Sequence, residues 1–401
     1  MKKTGLKTFD AVIIGGLGHV GLPLGLVFAD KGLKVCLYDV DRSKAGTVKS
    51  GRMPFIEYGS EQILKKVIKN GNLKVSLDIN CVSKAKYVVI AIGTPVDEYM
   101  NPKVRSFMEF FGGLKRYLDQ SQVIIVRSTV YPHTCRQVFR MLGGNDKWLV
   151  AYCPERIVQG YAVKELNELP QVVAGITPKA ADKAAELFSI ISPRIIRASV
   201  EEAEMVKLFT NAWRYIQFAA TNQFYMIAHN YGLDYDKVRH TMVEEYGRAA
   251  SLPTAGFAAG PCLFKDTMQL ISFYGNNFHL GHAAMMVNEG LPGFIVDDLR
   301  KKYDLSGMSV GILGMAFKAD IDDNRDALSY KLGKILRFYV TKVYYSDEYV
   351  KDPTFISKEK LIKLSDIIIV GVPHSIYKGI VIPKSKKVID LWGITKNPKR
   401  V

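Results

Sequence analysis

Gly16-Leu17-Gly18-His19-Val20-Gly21 follows the β-branched run Ala11-Val12-Ile13-Ile14 and opens an apolar stretch at helical spacing. Strand, G-x-G-x-x-G and helix in that order commit the start of the chain to a βαβ unit. The first glycine permits the tight turn, the second admits a bound pyrophosphate close to the backbone, and the third lets helix pack on strand. The pyrophosphate charge belongs at the positive end of the helix. A second run, Lys34 to Tyr38, ends at Asp39, 18 residues after Gly21, where a carboxylate accepts hydrogen bonds from ribose hydroxyls. The same carboxylate repels a 2′-phosphate, which favours NAD. Arg42 and Lys44 close behind keep NADP open, and Asp41 is a rival ribose ligand. A glycine-rich turn without ligand is the bland alternative, and strand, spacing and acid together weigh against it.

Runs at Tyr87 to Ile92 and Val123 to Val126 extend a parallel α/β sheet towards residue 195. Ser199-Val200-Glu201-Glu202 is a capping box that starts a helical pattern running to about Tyr231, with Gly232 as its stop. At 1.5 Å per residue that helix is roughly 48 Å long, the length of a spine between domains or of a subunit interface. Helical patterning continues over 234–302. Ser309-Val310-Gly311-Ile312-Leu313-Gly314 then opens a second α/β unit, with strands at Val343 to Tyr345, Ile367 to Val370 and Val388 to Leu391. The expected fold class is α/β: two Rossmann-like doubly wound domains, 1–197 and 303–401, joined by a central helical domain, 198–302, with one long spine helix.

Composition narrows the function classes. Apolar residues make up 48% and charged residues 23%, without long polar tracts, so disorder is not expected. No apolar run reaches the roughly 18 residues of a membrane helix and no signal peptide is visible, so a cytoplasmic protein is expected. Five cysteines (Cys36, Cys81, Cys135, Cys153, Cys262) without a CxxC pair argue against disulfides and against a structural metal. The net charge of +16 is spread along the chain without a nucleic-acid motif, so a partner of that class is not expected, although part of the charge can attract an anionic substrate.

Gly260-Pro261-Cys262-Leu263-Phe264-Lys265-Asp266 carries the chemistry. A lone cysteine is usually a small buried hydrophobe, a reading that suits Cys36 in its apolar strand. Cys262 instead follows Gly256 and Gly260, on backbone that can approach a ligand. A nicotinamide cofactor takes hydride and a cysteine holds an aldehyde for further oxidation, so the pair points to a two-step oxidation from alcohol to acid. Lys207 and Asn211, spaced i, i+4, share a helix face. Apolar neighbours including Phe209 and Trp213 make that helix buried or interfacial, and an amine and an amide in a cleft suit a developing oxyanion. Ser128-Thr129 and Glu155 lie beyond strand ends, where such sheets bind ligands. Glu155 could hold or activate water; a salt bridge with Arg156 or another base is the alternative.

These residues resemble the UDP-glucose/GDP-mannose dehydrogenase family, more specifically its UDP-N-acetylhexosamine branch. The resemblance spans essentially the whole chain: Gly15 to Pro23, Gly93-Thr94-Pro95, Ser128-Thr129-Val130, Cys153-Pro154-Glu155-Arg156, Lys207 with Asn211, Gly256-Phe257 with Gly260-Pro261-Cys262 and Lys265-Asp266, and Ala316-Phe317-Lys318 with Asp322-Asp323 and Arg325. It implies an NAD domain, a helical middle that forms a homodimer, and a C-terminal domain holding UDP. It also implies oxidation of a sugar C6 alcohol to a carboxylate with two NAD and one water, for surface polysaccharide synthesis. By position Cys262 is the nucleophile, Lys207 and Asn211 stabilise the oxyanion, Asp266 assists proton transfer through water, and Thr129 and Glu155 position the hydrolytic water. Thr94, Pro95 and Thr129 join Gly16, Gly18, His19, Val20, Gly21 and Asp39 around the cofactor. Glu155, Arg156, Lys207, Asn211, Arg248, Gly260, Lys318 and Arg325 contact the UDP-sugar, Arg248 reaching a neighbouring subunit's sugar.

Departures from the pattern are Gln159, where a second acid is common, Asn222-Gln223 for Asn-Glu, and Asp326-Ala327 for Glu-Ser. Three competing functions remain: a UDP-glucose 6-dehydrogenase, a single-hydride β-hydroxyacid-type dehydrogenase in which Cys262 is idle, and a non-catalytic nucleotide-binding protein.

Overall fold

Uninterrupted runs such as Val123-Ile124-Ile125-Val126 and Ile367-Ile368-Ile369-Val370 are buried along their whole length, as strands of a parallel sheet covered on both faces must be. In the computed structural model, residues 7–94, 96–97, 103–258 and 260–395 are described. The chain divides into two compact units, Met1–Thr210 and Asn211–Val401.

In the first unit the order is β1 (Phe9–Ile14), α1 (Gly21–Asp30), β2 (Val35–Tyr38), α2 (Arg42–Lys49), α3 (Ser60–Lys69), β3 (Leu73–Ser76), β4 (Ala85–Ile90), α4 (Val104–Leu114), β5 (Val123–Val126), α5 (Thr134–Leu142), β6 (Leu149–Tyr152), α6 (Ala162–Glu168), β7 (Gln171–Gly175), α7 (Pro178–Phe188) and β8 (Ile195–Arg197). The sheet order is β3-β2-β1-β4-β5-β6-β7-β8, all parallel neighbours except β6 and β7. The chain reverses its stacking direction at β1, and the loops after β1 and β4 open beyond the strand ends at that switch point, where α/β sheets bind ligands. Two apolar clusters, one on each face, bury the sheet.

The helix α8 (Val200–Asn230) has 31 residues, about 46 Å at 1.5 Å per residue, and the unit boundary falls within it. Its predicted capping box is formed. Ser199 N and Oγ lie 2.7 and 2.8 Å from Glu202 Oε2, and Glu202 N–H donates back to Ser199 Oγ at 3.3 Å. Gly232, with φ +69°, stands just beyond its end.

The second unit continues with α9 (Tyr235–Val243), α10 (Leu263–Phe273), α11 (His279–Lys302), β9 (Ser309–Leu313), α12 (Leu328–Leu336), β10 (Lys342–Ser346), α13 (Lys358–Leu364), β11 (Ile367–Val370) and β12 (Lys387–Asp390). Its parallel sheet runs β10-β9-β11-β12. Leu291, Ile295 and Leu299 of α11 and Leu328, Leu332 and Leu336 of α12 bury one face. The expected helical material over 234–302 is interrupted between α9 and α10, where Gly247, Pro253, Gly256, Gly260 and Pro261 remove helix propensity. That irregular stretch leads into Cys262.

Candidate active site

The glycine loop after β1 separates what the fold needs from what a ligand needs. A Cβ on Gly16 would come within 2.8 Å of the Leu37 Cβ, and one on Gly21 within 2.3 Å of the Gly15 carbonyl oxygen, so both positions are closed by the chain itself. Gly18 is different: its nearest neighbour would be the Gly15 oxygen at 3.5 Å, an ordinary contact. The protein leaves the space above Gly18 open, which fits a pyrophosphate against bare backbone. Val20 occupies the N-cap of α1 without a side-chain cap, and the first turn carries no acid, so that helix end is left for an anion. His19 stacks on Phe55 at 4.0 Å and its Nδ1 lies 2.9 Å from Gln159 Nε2.

Asp39 stands at the end of β2, half-buried. Its Oδ2 accepts the Leu17 N–H at 3.0 Å and its Oδ1 accepts from Val40 and Asp41 N–H at 2.8 and 3.1 Å. The carboxylate thus braces the glycine loop while keeping one lone pair, on Oδ2, for a ribose. Asp41 is occupied otherwise, capping α2 through Lys44 N–H at 2.9 Å. Thr94 Oγ1 donates to the Thr129 carbonyl at 2.5 Å, joining the ends of β4 and β5, and Ser128 Oγ donates to Ile92 O at 2.7 Å. Pro95 lies outside the described residues.

Glu155 is buried and paired with a base, but the base is Arg127 and not Arg156. The Arg127 guanidinium, 1% exposed, also donates to Cys153 O at 3.1 Å and Gln171 Oε1 at 3.0 Å. Glu155 Oε1 accepts the N–H groups of Arg156 and Ile157 at 2.7 and 3.0 Å, while the Arg156 side chain turns to Pro170 O. Removing one partner of such a buried pair costs about 3–5 kcal/mol. Glu204 was also missed by sequence reasoning. Buried on α8, it accepts His133 and Cys135 N–H at 2.6 and 3.0 Å and so tethers the start of α5, just after Thr129. Burial raises its pKa despite those hydrogen bonds. A charged residue set in an apolar run, as Arg127 is after Val123-Ile124-Ile125-Val126, was the signal available for the first of these.

In the second unit Cys262 is exposed while the other four cysteines are buried. It forms the N-cap of α10, the helix end that favours negative charge. One turn on, buried Asp266 accepts from Asn211 Nδ2 at 2.5 Å and pairs with Lys265 Nζ at 2.6 Å. Lys207 is half-buried one turn earlier on α8 than Asn211. The loop between β9 and α12 meets the Cys262 segment: a Cβ on Gly260, φ +103°, would strike the Phe317 ring at 2.5 Å. Arg325 grips Asp323 through Nε at 2.9 Å and Nη2 at 2.6 Å, and this bond raises the guanidinium pKa. Arg325 also lies within electrostatic reach of Cys262, and Lys318 is half-buried on the same loop. Arg248 is exposed, 5.9 Å over the Tyr246 ring. Among the described residues no cluster of His, Cys, Asp or Glu could hold a metal, and no helix is long and apolar enough to cross a membrane.

Three family models match in succession: the NAD binding domain of the UDP-glucose/GDP-mannose dehydrogenase family over residues 10–192, its central domain over 201–290 and its UDP binding domain over 311–397. The chain belongs to the UDP-glucose/GDP-mannose dehydrogenase family. A UDP-N-acetyl-D-mannosamine dehydrogenase of Pyrococcus horikoshii is 30% identical, the match covering 96% of each chain. A solved UDP-D-ManNAc dehydrogenase from the same organism superposes with a TM-score of 0.89 at 29% identity, over 97% of this chain and 96% of the other. A UDP-glucose dehydrogenase from Pyrobaculum islandicum shares the fold, with a TM-score of 0.86 at 24% identity over 99% and 98%. This family member is an NAD-dependent UDP-sugar dehydrogenase: the glycine cradle belongs to its NAD binding domain, and Lys318 and Arg325 to its UDP binding domain.

Proposed function

We propose that the protein oxidises the C6 hydroxyl of a UDP-N-acetylhexosamine to the carboxylate in two steps, with Cys262 as the covalent carrier. The observation that carries this reading is the exposed thiol at the N-cap of α10, beside the Asn211–Asp266–Lys265 group and within reach of Arg325. Similarity to UDP-N-acetyl-D-mannosamine dehydrogenases over nearly the whole chain supports the N-acetylated sugar.

NAD, when bound, supplies the hydride acceptor for both oxidations, two molecules being reduced per sugar; Gly16, Gly18, His19, Val20, Gly21, Asp39, Thr94, Pro95 and Thr129 would hold it. The Cys262 sulfur adds to C6 at the aldehyde level, giving a thiohemiacetal whose oxygen takes the thiol proton. Loss of hydride and of that proton leaves a thioester, and water cleaves it to the carboxylate, regenerating the thiol. Lys207 and the Asn211 amide are assigned the developing oxyanion. Asp266, held by Asn211 and Lys265, relays protons, while Thr129 and Glu155 hold the hydrolytic water, Glu155 anchored by Arg127. Arg156, Arg248, Gly260, Lys318 and Arg325 are assigned the UDP-sugar, the cations meeting the diphosphate.

The natural partner of α8 is a second copy of the chain. Phe209, Trp213, Phe224, Ile227 and Tyr231 are all exposed, and at about 100° per residue they fall in a single stripe some 60° wide. An apolar stripe of this length needs a cover. A dimer should therefore appear in light scattering and be lost in Trp213→Glu. The product, a nucleotide-linked uronate, suits surface polysaccharide synthesis in the cytoplasm.

The test is NADH formed per sugar consumed with UDP-N-acetylmannosamine, UDP-N-acetylglucosamine and UDP-glucose, in wild type and Cys262→Ser. Two NADH per N-acetylated sugar, with turnover stalled in the variant, is expected. One NADH per sugar, unaffected by the substitution, would overturn the covalent route; preference for UDP-glucose would overturn the substrate.

A further inference from the structure

The segment bearing Cys262 is gripped from both sides of the thiol by one face of α8. Asn211 and Asn222 are 11 residues apart, and 11 residues of helix return to within about 20° of the same direction. Asn211 holds Asp266, four residues after Cys262. Asn222 holds Gly256, six residues before it, by both backbone groups: Gly256 N–H donates to Asn222 Oδ1 at 2.8 Å, and Asn222 Nδ2 donates to Gly256 O at 3.0 Å. The remaining Asn222 N–H donates to Asn288 Oδ1 of α11 at 2.9 Å, and Asn288 Nδ2 donates to Tyr215 O of α8 at 3.0 Å. Asn222 and Asn288 are both 0% exposed.

This network sits where loose backbone would otherwise be expected. Among the described residues from 244 to 262 no helix or strand forms, so an amide that mimics a strand partner holds the backbone there. The opposite side of Gly256 is closed by Trp392, whose ring would lie 2.2 Å from a Cβ there; φ of +151° makes glycine the fitting residue. Trp392 is itself fixed, its backbone N–H donating to Asp390 Oδ1 at 3.1 Å and its Nε1–H to Gly371 O at 3.3 Å. Gly256 is thus held between an amide clamp and an indole plate.

We infer that Asn222, braced by Asn288, is a positioning residue for the Cys262 thiol: it fixes the N-terminal side of the reactive segment, as Asn211 fixes the C-terminal side. The inference rests on the covalent role proposed for Cys262. Without the clamp the segment shifts, and the sulfur leaves both the α10 N-terminus and the neighbourhood of Arg325. Misplacement of a reacting atom by about 1 Å is enough to lower a rate about 100-fold.

The experiment compares Asn222→Ala and Asn288→Ala with Leu332→Ala, an apolar core truncation in the same unit that removes no hydrogen bond of the clamp. NADH turnover, KM for NAD, melting temperature and the rate of native-state alkylation by iodoacetamide are read; only Cys262 among the five cysteines is exposed to that reagent. Asn222→Ala should lower kcat at least 10-fold and slow alkylation at least 3-fold, with KM for NAD unchanged. Asn288→Ala should give the same pattern at smaller size, and Leu332→Ala should lose melting temperature while keeping kcat and alkylation rate. If both asparagine variants match Leu332→Ala at equal loss of melting temperature, the inference is overturned. Should Asn222→Ala not fold, Asn288→Ala decides alone. A wild type without NADH formation on any UDP-sugar would defeat the proposed function, while the alkylation rates would still judge the clamp.

Discussion

Two crossovers in this molecule, one in each unit, start alike and end differently. β1 turns through Gly15 and β9 through Gly314, both at positive φ (+75° and +94°), and at each a Cβ would stand 2.6 Å from the neighbouring strand's continuation, Ala91 O and Val372 Cβ respectively. Each loop is then tied to a carboxylate after the adjacent strand. Asp39 takes the Leu17 N–H at 3.0 Å, and Asp347 takes those of Met315 and Ala316 at 2.6 and 3.0 Å. There the likeness stops. Asp39 remains half-open, whereas Asp347 is sealed by His374 Nε2 at 3.0 Å, both side chains 0% exposed. In the first unit α1 begins at once and offers backbone N–H groups; in the second, α12 waits until Leu328 and the intervening loop offers Lys318 and Arg325. In the function proposed above, the first crossover would meet phosphate with backbone and helix dipole, the second with cationic side chains. The same turn is thus followed by different residues in the two units, and those residues carry the difference.

The comparison breaks first at its shared glycines. Gly15→Ala and Gly314→Ala should each destabilise their unit by roughly 3 kcal/mol, since neither site can take a Cβ without moving backbone or a packed strand end. Denaturant unfolding measures this, and a harmless Gly314→Ala would end the parallel. Gly18→Ala should leave stability nearly unchanged yet weaken NAD at least 50-fold in equilibrium titration, because a Cβ there makes only an ordinary contact with the protein, Gly15 O at 3.5 Å. Unaltered NAD affinity there would remove the cradle reading.

Next come the two carboxylates. Asp39→Asn should weaken NAD about tenfold, close to 1.4 kcal/mol, while Asp347→Asn leaves NAD affinity unchanged and lowers melting temperature instead. An equal loss of NAD affinity in both would show that bracing, not ribose recognition, is what Asp39 does.

The smallest effect is in pH dependence, and its sign should differ between the units. Burial works to raise the Asp347 pKa, but His374 and the N–H groups of Val350 and Met315 outweigh it and the net shift is downward. Its stabilisation is present above the unfolded carboxylate value of about 4 and is lost as pH falls through the lower folded value. Burial raises Glu204, so the folded state holds that proton longer; stability declines as pH rises from about 4.5 through the raised folded value. Melting curves from acid to neutral pH should lose the first dependence in Asp347→Asn and the second in Glu204→Gln. Slopes that persist in the variants would assign them to other groups.

Much of this architecture was legible along the chain. Among the described residues, β1, β2, β4, β5, β9, β10, β11 and β12 lie within two residues of where the sequence places them, whereas β3, β6, β7 and β8 were not singled out. The reason is physical. β3 and β8 are edge strands of four and three residues, β8 with none of them buried, and the antiparallel pairing of β6 with β7 spans two residues only, so these runs are short and weakly patterned. The stretch between α9 and α10 falls within the helical patterning expected over 234–302, and Gly247, Pro253, Gly256, Gly260 and Pro261 are what break it.

The sequence alone determined what depends on neighbours in the chain: the glycine turn after β1, the capping box and stop of α8, the buried runs of the parallel sheets, and the chemical types at Cys262, Asn211 and Asp266. These follow from dihedral preference, periodicity and caps, which act over a few residues. Only the tertiary structure decided that Glu155 pairs with Arg127 rather than Arg156, that Asp347 is closed by His374, that Gly18 alone among the fingerprint glycines is spared by the fold, and that Asn222 clamps Gly256. Those partners are tens of residues apart, so burial and packing bring them together. A buried polar group must find whichever partner the fold sets beside it.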